Sequence, residues 1–184
     1  MANMCYFEFV VVGDSKENIQ AFLNAMQQEG TLYMGRGAAI FSRNEIQEED
    51  GKFRFESAGE CKWSLEAALI LNAENTREEP EHWFFGDNID SSTLEFITLP
   101  EASERFQVDV EMYSEELGCE FQEHKWLERG KYLVDDCVQY RECYLDEYDT
   151  KEEAEEDYGR TFSEEEWKEG QAYDGGFGEW KFHI

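Results

Sequence analysis

The polar residues best placed to do chemistry lie between Ser114 and His124 and in the strand expected to follow them. If Arg129 and Gly130 form a two-residue turn, the flanking strands pair outward from that turn as a hairpin. This register places Glu120, His124 and Asp135 on one face and sets His124 directly opposite Asp135. A carboxylate beside an imidazole raises its pKa and orients its ring, as general acid–base catalysis requires. These three residues are the candidate catalytic residues of a small hydrolase or transferase.

His124 and Asp135 also fit a simpler interpretation, a cross-strand ion pair on the protein surface that contributes about 0.2–1 kcal/mol to stability. The hairpin register further predicts that one face packs on the core and the other is polar. The core-facing set is Phe121, Val134, Val138 and Tyr140, and the outward-facing set is Gln122, Asp135 and Gln139. The sequence leaves the catalytic and the surface interpretation open.

Metal and phosphate motifs are missing from the sequence. Cys137 shares the predicted face of His124, but Cys119 points away and no close Cys-x-x-Cys pair exists. The acidic run from Asp146 to Asp149 lacks the glycine frame of a calcium loop. There is also no Gly-x-Ser-x-Gly and no Walker loop. We therefore expect no metal ion and no cofactor.

The charge of the chain restricts its partners. Forty-four acidic residues against sixteen basic ones give a formal charge of −28, yet the 184 residues include 14 Phe, 9 Tyr and 5 Trp. The chain therefore has enough apolar surface to fold into a compact structure. A folded body with such a coat repels nucleic acid and anionic membranes and attracts basic proteins. We expect a non-catalytic binding protein with a basic protein partner.

Residues 142–169 concentrate this charge, with 13 acids, 3 bases and a net charge of −10. Helices are predicted at 151–158 and 163–169, the second with Ser163 and Glu166 as its cap. The candidate partner-binding residues are Glu152, Glu153, Glu155, Glu156, Asp157, Glu164 and Glu165. A sharper form of the hypothesis is nucleic-acid mimicry, in which carboxylates replace phosphates. The alternative is that the acidity serves only solubility.

Length and composition favour one domain over residues 1–184, with 142–174 as an acidic helical appendage. No apolar run reaches the roughly 20 residues needed to span a bilayer. The N-terminal residues do not resemble a secretory signal, and five cysteines at irregular spacing suggest reduced thiols. The expected location is cytoplasmic.

The hydrophobic pattern predicts a strand at 4–12, followed by a helix at 15–29 whose buried face carries Ile19, Phe22, Leu23 and Met26. A loop is expected at 72–90, pinned by Trp83, Phe84 and Phe85. The other predicted elements are a strand at 53–57, helices at 64–71 and 99–106, strands at 108–113, 119–128 and 131–142, and a final strand at 180–184. This order predicts an α+β fold, an antiparallel-rich sheet with two helices on one face, in a ferredoxin-like plan.

Several short motifs resemble the YubB-like family of ferredoxin-like proteins from plasmids and conjugative elements. They are the start Met1–Cys5 leading into a strand that ends at Gly13-Asp14, Cys61–Ser64, Ser114–His124 and the closing Gly176–Trp180. Relatives often carry Trp where this chain has Met4. The resemblance implies the fold and a mobile-element setting, and it supplies neither an activity nor catalytic residues.

Overall fold

The structure is a computed structural model that describes residues 4–41, 44–78, 93–141, 144–145, 148–171 and 174–184. Within these residues the fold is α+β, with a mostly antiparallel sheet and five α-helices. The strands are β1 (Met4–Gly13), β2 (Leu32–Met34), β3 (Ala39–Ile40), β4 (Gln47–Glu49), β5 (Lys52–Lys62), β6 (Glu95–Ile97), β7 (Val108–Glu116), β8 (Phe121–Glu128), β9 (Lys131–Arg141) and β10 (Asp174–Gly175). The helices are α1 (Lys16–Met26), α2 (Asn72–Glu78), α3 (Leu99–Phe106), α4 (Lys151–Tyr158) and α5 (Glu164–Gly170), and a π-helical turn at Ala67–Leu71 leads into α2.

The main sheet has the strand order β10-β9-β8-β7-β1-β5-β3, and β4 also pairs with β5. Every pairing in this sheet is antiparallel. A separate parallel pair is formed by β2 and β6. Strand β1 lies between β5 and β7 along most of its length, which agrees with its nearly continuous apolar sequence.

The main core forms where alternate residues of β1 and β7 meet α1 and α3. Helix α1 buries Ile19, Phe22, Leu23 and Met26, as their spacing predicts. The same cluster contains the following residues of β1, α3, β7 and β8: Cys5, Phe7, Phe9, Val11, Leu99, Ala102, Val108, Val110, Met112 and Leu127. Helix α1 ends at Met26 with Gln27 as its C-cap, earlier than predicted.

The N-terminus of α3 is closed by the predicted capping box. The Thr98 hydroxyl accepts from the Glu101 N–H, and the Glu101 carboxylate accepts from the Thr98 N–H at 2.7 Å. Arg77 at the end of α2 donates to both carboxylate oxygens of Glu101, one of them at 2.9 Å. This ion pair therefore joins α2 to the first turn of α3.

The predicted β8–β9 register is wrong beyond its first pairs. Glu128 pairs with Lys131 and Leu127 with Tyr132, so the turn at Arg129-Gly130 is confirmed. A β-bulge then leaves Leu133 as an extra residue, and Trp126 pairs with Val134. An extra residue reverses which face every later side chain of that strand occupies. Phe121 and Val134 therefore lie on opposite faces, and the partner of His124 is Asp136 rather than Asp135.

The C-terminal residues also differ from prediction. Beyond β10, residues 176–184 form no strand. Residues 72–78, predicted as part of a loop, form α2. The aromatic run Trp83–Phe85 lies outside the described residues.

The acidic segment folds on a small cluster of its own. Leu145, Ala154 and Phe162 are buried together, with Tyr148 and Trp167 packed against them. Helix α4 has the predicted bounds, and the Ser163–Glu166 capping box of α5 is confirmed. Both ends of the segment meet at the main sheet, where Asp174 pairs with Arg141 and Gly175 with Tyr140.

A buried carboxylate on β8 fixes the helical segment that begins at Leu65 to the sheet. Glu123 is 3% exposed and accepts from the Leu65 N–H at 2.7 Å, the Glu66 N–H at 3.1 Å and the Ser114 hydroxyl at 2.9 Å. Charge-assisted hydrogen bonds to a helix N-terminus satisfy donors that have no partner within the helix.

We predict that Glu123→Ala lowers the free energy of unfolding by about 2–3 kcal/mol, because buried donors lose their acceptor. Urea denaturation monitored by circular dichroism measures the change. Glu128→Ala, at the exposed end of the same strand, is the control and should change stability by less than about 0.5 kcal/mol. Equal effects of the two substitutions would contradict the role assigned to Glu123.

The Arg77–Glu101 pair makes stability depend on pH. Hydrogen bonding from Arg77 lowers the pKa of Glu101 from 4.5 to about 2. A carboxyl whose pKa is lower in the folded state stabilises that state above its unfolded pKa, and the contribution is lost as the pH falls through the folded pKa. We predict that Glu101→Gln is less stable than wild type at pH 6 and that this gap closes as the pH approaches 2. Urea titrations at several pH values measure the gap, and a gap that widens on acidification would contradict the assignment.

Candidate functional site

Alternation along the strands gives the main sheet two faces. The core face carries the apolar residues described above, and the opposite face, here called the outer face, carries polar and aromatic ones. Its central residues are Tyr6 and Glu8 on β1, Glu111, Tyr113 and Glu115 on β7, and Gln122, His124 and Trp126 on β8. Residues 176–184, here called the C-terminal tail, contact this face.

Glu111 is the centre of these contacts. Its side chain is fully buried, and its Oε1 lies 2.9 Å from His124 Nε2 and 2.7 Å from His183 Nδ1. Its Oε2 accepts from the His183 backbone N–H at 2.6 Å. One carboxylate therefore holds a histidine of the sheet and a histidine of the tail.

The environment of His124 favours its neutral form. Burial lowers the pKa of His124 below its ordinary value, although the hydrogen bond to Glu111 acts in the opposite direction. The pKa expected from the sequence was raised, because only a neighbouring carboxylate, and not the burial of the ring, is visible there. Neutral His124 donates its Nε2–H to Glu111 and leaves Nδ1 as an acceptor.

Stacked rings extend the contact between tail and sheet. Tyr113 and His124, which pair across β7 and β8, stack with ring centroids 3.9 Å apart and planes 8° apart. Trp180 of the tail stacks on Tyr113 at 5.7 Å and on Tyr6 at 6.2 Å, and the ring of His183 stacks on Trp126 at 5.0 Å. Such contacts bury apolar area and fix the ring planes.

Polar contacts hold the rest of the tail. Gln122 Oε1 accepts from the Phe177 N–H at 2.8 Å, and a Cβ at Gly176 would lie 2.6 Å from that oxygen. Gly176 also has a φ of +71°, a conformation that glycine adopts without strain. Further along, Tyr113 Oη donates to the Lys181 carbonyl at 3.2 Å, and Arg54 donates to the main-chain oxygen of Ile184.

A cleft of about 590 Å³ opens beside the tail. The described residues that line it are Tyr6, Glu8, Glu115, Gln122, Tyr140, Gly175, Gly178, Glu179 and Trp180, and none of these is basic. Tyr6 Oη donates to Glu8 at 2.9 Å, and burial together with this bond raises the pKa of Tyr6 to about 12. The cleft thus combines three carboxylates with three aromatic rings.

The candidate catalytic residues of the sequence do not come together. Asp135 binds Lys125 at 2.6 Å, and Lys125, which is 3% exposed, also binds Glu66 at 2.7 Å. Glu120 lies exposed in the turn before β8, where its carbonyl accepts from the Tyr140 N–H. His124 contacts Glu111 instead of either acid. The predicted pairing of His124 with Asp135 is wrong because the bulge carries Asp135 to the face of Lys125.

The candidate partner-binding acids lie on α4 and at the start of α5. Glu152, Glu153, Glu156 and Glu165 are exposed. The other three also make internal contacts: Glu155 accepts from the Phe162 N–H, Asp157 from the Tyr148 hydroxyl, and Glu164 from Lys151. Part of the predicted set therefore supports the fold of the appendage.

Sequence reasoning missed Glu111 and His183. Glu111 alternates with Val110 and Met112, a pattern that predicts a solvent-facing residue, and His183 lies in the predicted final strand. The burial of Glu111 comes from the tail, which is distant in sequence. The alternation of Trp180, Phe182 and Ile184 with Lys181 and His183 did indicate that this segment packs on the body of the protein. In the structure the three apolar residues are half-buried, and Lys181 and His183 are exposed.

Comparisons of the chain with models of protein families, with curated proteins and with solved structures gave no match. Within the described residues, every helix is too short or too polar to cross a membrane.

We predict that Glu111→Ala releases the tail, because His124 and His183 lose their shared acceptor. Trypsin should cut after Lys181 faster in the variant than in wild type, in buffer that contains EDTA, and mass spectrometry of the released fragment measures the rate. Glu104→Ala is the control, since it removes an exposed carboxylate from α3, which packs on the opposite face of the sheet. Unchanged cleavage in Glu111→Ala would show that the stacked rings and the other polar contacts hold the tail without Glu111.

Proposed function

We propose that the protein is a non-catalytic binding protein that engages a basic protein partner through the acidic aromatic cleft and the acidic appendage. The observation that carries this proposal is the cleft beside the tail, where Glu8, Glu115 and Glu179 accompany Tyr6, Tyr140 and Trp180. A guanidinium or ammonium group is the natural occupant of such a site.

The chemistry of the cleft favours a cationic side chain in two ways. Carboxylates form charge-assisted hydrogen bonds with arginine, and arginine also stacks on aromatic faces. Glu179 forms an exposed ion pair with Lys181 at 3.1 Å, which a stronger cationic ligand can replace because exposed pairs contribute little. The rings of Tyr6 and Trp180 both line the cleft, where a bound cation can contact them.

The appendage supplies long-range attraction. Exposed carboxylates on α4 and α5 add to a chain charge of −28, and charge of one sign accelerates the encounter with an oppositely charged partner. Both ends of the appendage join the sheet at the Tyr140–Gly175 pair, and these two residues line the cleft. A partner drawn to the appendage therefore arrives beside the cleft.

The proposal includes the setting that the resemblance to YubB-like proteins implies, a mobile element. Blocking a host DNA-binding protein by nucleic-acid mimicry suits such an element. The ferredoxin-like plan, with two helices on one face, also belongs to the proposal. It is supported by the strand order, since β5 and β7 flank β1 and are connected through a helical segment.

Binding of a labelled hexa-arginine peptide, followed by fluorescence anisotropy at 0.1 M and 1 M salt, tests the proposal. We predict that wild type binds the peptide and that affinity falls with salt, because the Debye length shrinks from about 10 Å to about 3 Å. Glu8→Gln/Glu115→Gln should weaken binding about tenfold, equivalent to about 1.4 kcal/mol. Glu152→Gln/Glu153→Gln/Glu156→Gln/Glu165→Gln should mainly slow association.

The control is Glu29→Gln/Glu48→Gln, which removes two exposed charges away from the cleft. It separates the loss of specific carboxylates from the loss of net charge. If all four proteins bind the peptide equally, or if wild type does not bind it, the acidity serves only solubility and the binding proposal is wrong. A hydrolase or transferase that uses His124 with Asp135 or Glu120 is not favoured, because these side chains contact other residues.

A further inference from the structure

Glu111, His124 and His183 form a cluster whose chemistry differs from that of the cleft. His124 Nε2, His183 Nδ1 and Glu111 Oε1 all lie within 4.8 Å of one another. The neighbouring strands β7 and β8 supply two of them, and the tail, distant in sequence, supplies the third. We propose that this cluster is a binding site for a divalent transition-metal ion of the zinc class, which fastens the C-terminal tail to the sheet.

Glu111 is a buried acid without a cationic partner among the described residues. Its carboxylate is fully buried, and within the described residues it forms no ion pair with a lysine or an arginine. Buried carboxylates are ordinarily paired with a cation or bound to a metal ion, because an isolated buried charge is costly. A divalent ion between Glu111 and the two imidazoles supplies the missing positive charge.

The donor set selects the kind of metal. Two imidazole nitrogens and one carboxylate oxygen suit zinc and its neighbours in the first transition series, whereas calcium and magnesium prefer oxygen donors alone. Three protein ligands leave at least one coordination position for water. The side chain of His183 is 53% exposed, so the site is open to solvent on the side of the tail.

Metal binding requires the three ligand atoms to rearrange, and the exposed His183 ring on the tail is the ligand with most room to move. Bonds of about 2.0–2.1 Å in a tetrahedral site separate neighbouring ligand atoms by about 3.3 Å. The Glu111 Oε1 atom lies 2.9 Å and 2.7 Å from the two ring nitrogens, as expected when protons occupy the positions that a metal ion would take. To bind the ion, these two contacts widen by about half an ångström, and the two ring nitrogens, which lie up to 4.8 Å apart, move closer together.

The surroundings already orient the ligands. The ring of His124 stacks on Tyr113 and the ring of His183 on Trp126, each with planes 8° apart. The bond from the His183 backbone N–H to Oε2 fixes the carboxylate so that Oε1 faces both imidazoles. Contacts that hold a ligand in its binding orientation raise metal affinity.

Titration of the EDTA-treated full-length protein with Co²⁺ tests the proposal. We expect one equivalent to bind with strong visible absorption, the signature of a four- or five-coordinate ion, and Zn²⁺ to displace it. Glu111→Gln and His183→Gln should weaken binding by more than the roughly 10- to 100-fold typical of losing an outer-shell partner. His82→Gln is the control: it changes the one histidine of the chain that is not a proposed ligand, and it should leave Co²⁺ binding unchanged.

Other donors give distinguishable results. Cysteine thiolates would add a charge-transfer band in the near ultraviolet, and surface carboxylates would bind Co²⁺ weakly without strong visible absorption. Either result in wild type, or unchanged binding in His183→Gln, would overturn the proposal. His183 lies outside both hydrophobic clusters, so its variant should fold, and circular dichroism checks this.

A second measurement addresses the role of the ion. Zn²⁺ should slow tryptic cleavage after Lys181 in wild type and have no effect in His183→Gln. Strong Co²⁺ binding without such protection would show that the ion does not fasten the tail. The peptide-binding experiment uses different residues and a different probe, so failure of either proposal leaves the other testable.

Discussion

The buried carboxylate of Glu111 is the constraint on which the outer face depends. It accepts from His124 of the sheet and from both the ring and the backbone of His183 in the tail. A buried carboxylate requires hydrogen-bond donors. The sheet supplies one, the His124 ring, and the tail supplies two, the ring and the backbone N–H of His183. With the tail held there, Trp180 stacks on Tyr6 and Tyr113 and forms one wall of the cleft. Glu111 thus contributes to the shape of the proposed binding surface through the position of the tail.

Local signals in the sequence were sufficient for much of the fold. The spacing of Ile19, Phe22, Leu23 and Met26 identified the buried face of α1, and the Thr98–Glu101 and Ser163–Glu166 capping boxes placed the starts of α3 and α5. These features depend on residues within one or two helical turns, so a single sequence contains them. The turn at Arg129-Gly130 was predicted for the same reason.

The site could not be predicted in this way because it depends on two non-local events. The bulge at Leu133 reverses the faces of β9, and neither Leu133 nor its neighbours are residues that mark a bulge in sequence. The tail then covers a face that alternation assigns to solvent, which buries Glu111 and brings His183 to His124 across 59 residues of sequence. The absence of closely spaced cysteines argued against metal binding, but that argument does not apply to ligands that only tertiary structure assembles.

The excess of acid has different consequences in different parts of the molecule. Exposed carboxylates on α4 and α5 are solvated, and they act on a partner mainly through the long-range field. Glu123 and Glu111 are buried, and there a carboxylate is useful only because several donors converge on it. Glu123 receives its donors from the first turn of a helix, whereas Glu111 depends on two imidazoles and one amide. Glu111 is therefore the buried acid whose imidazole neighbours can share a transition-metal ion with it, and the tail is the element whose position that ion would determine.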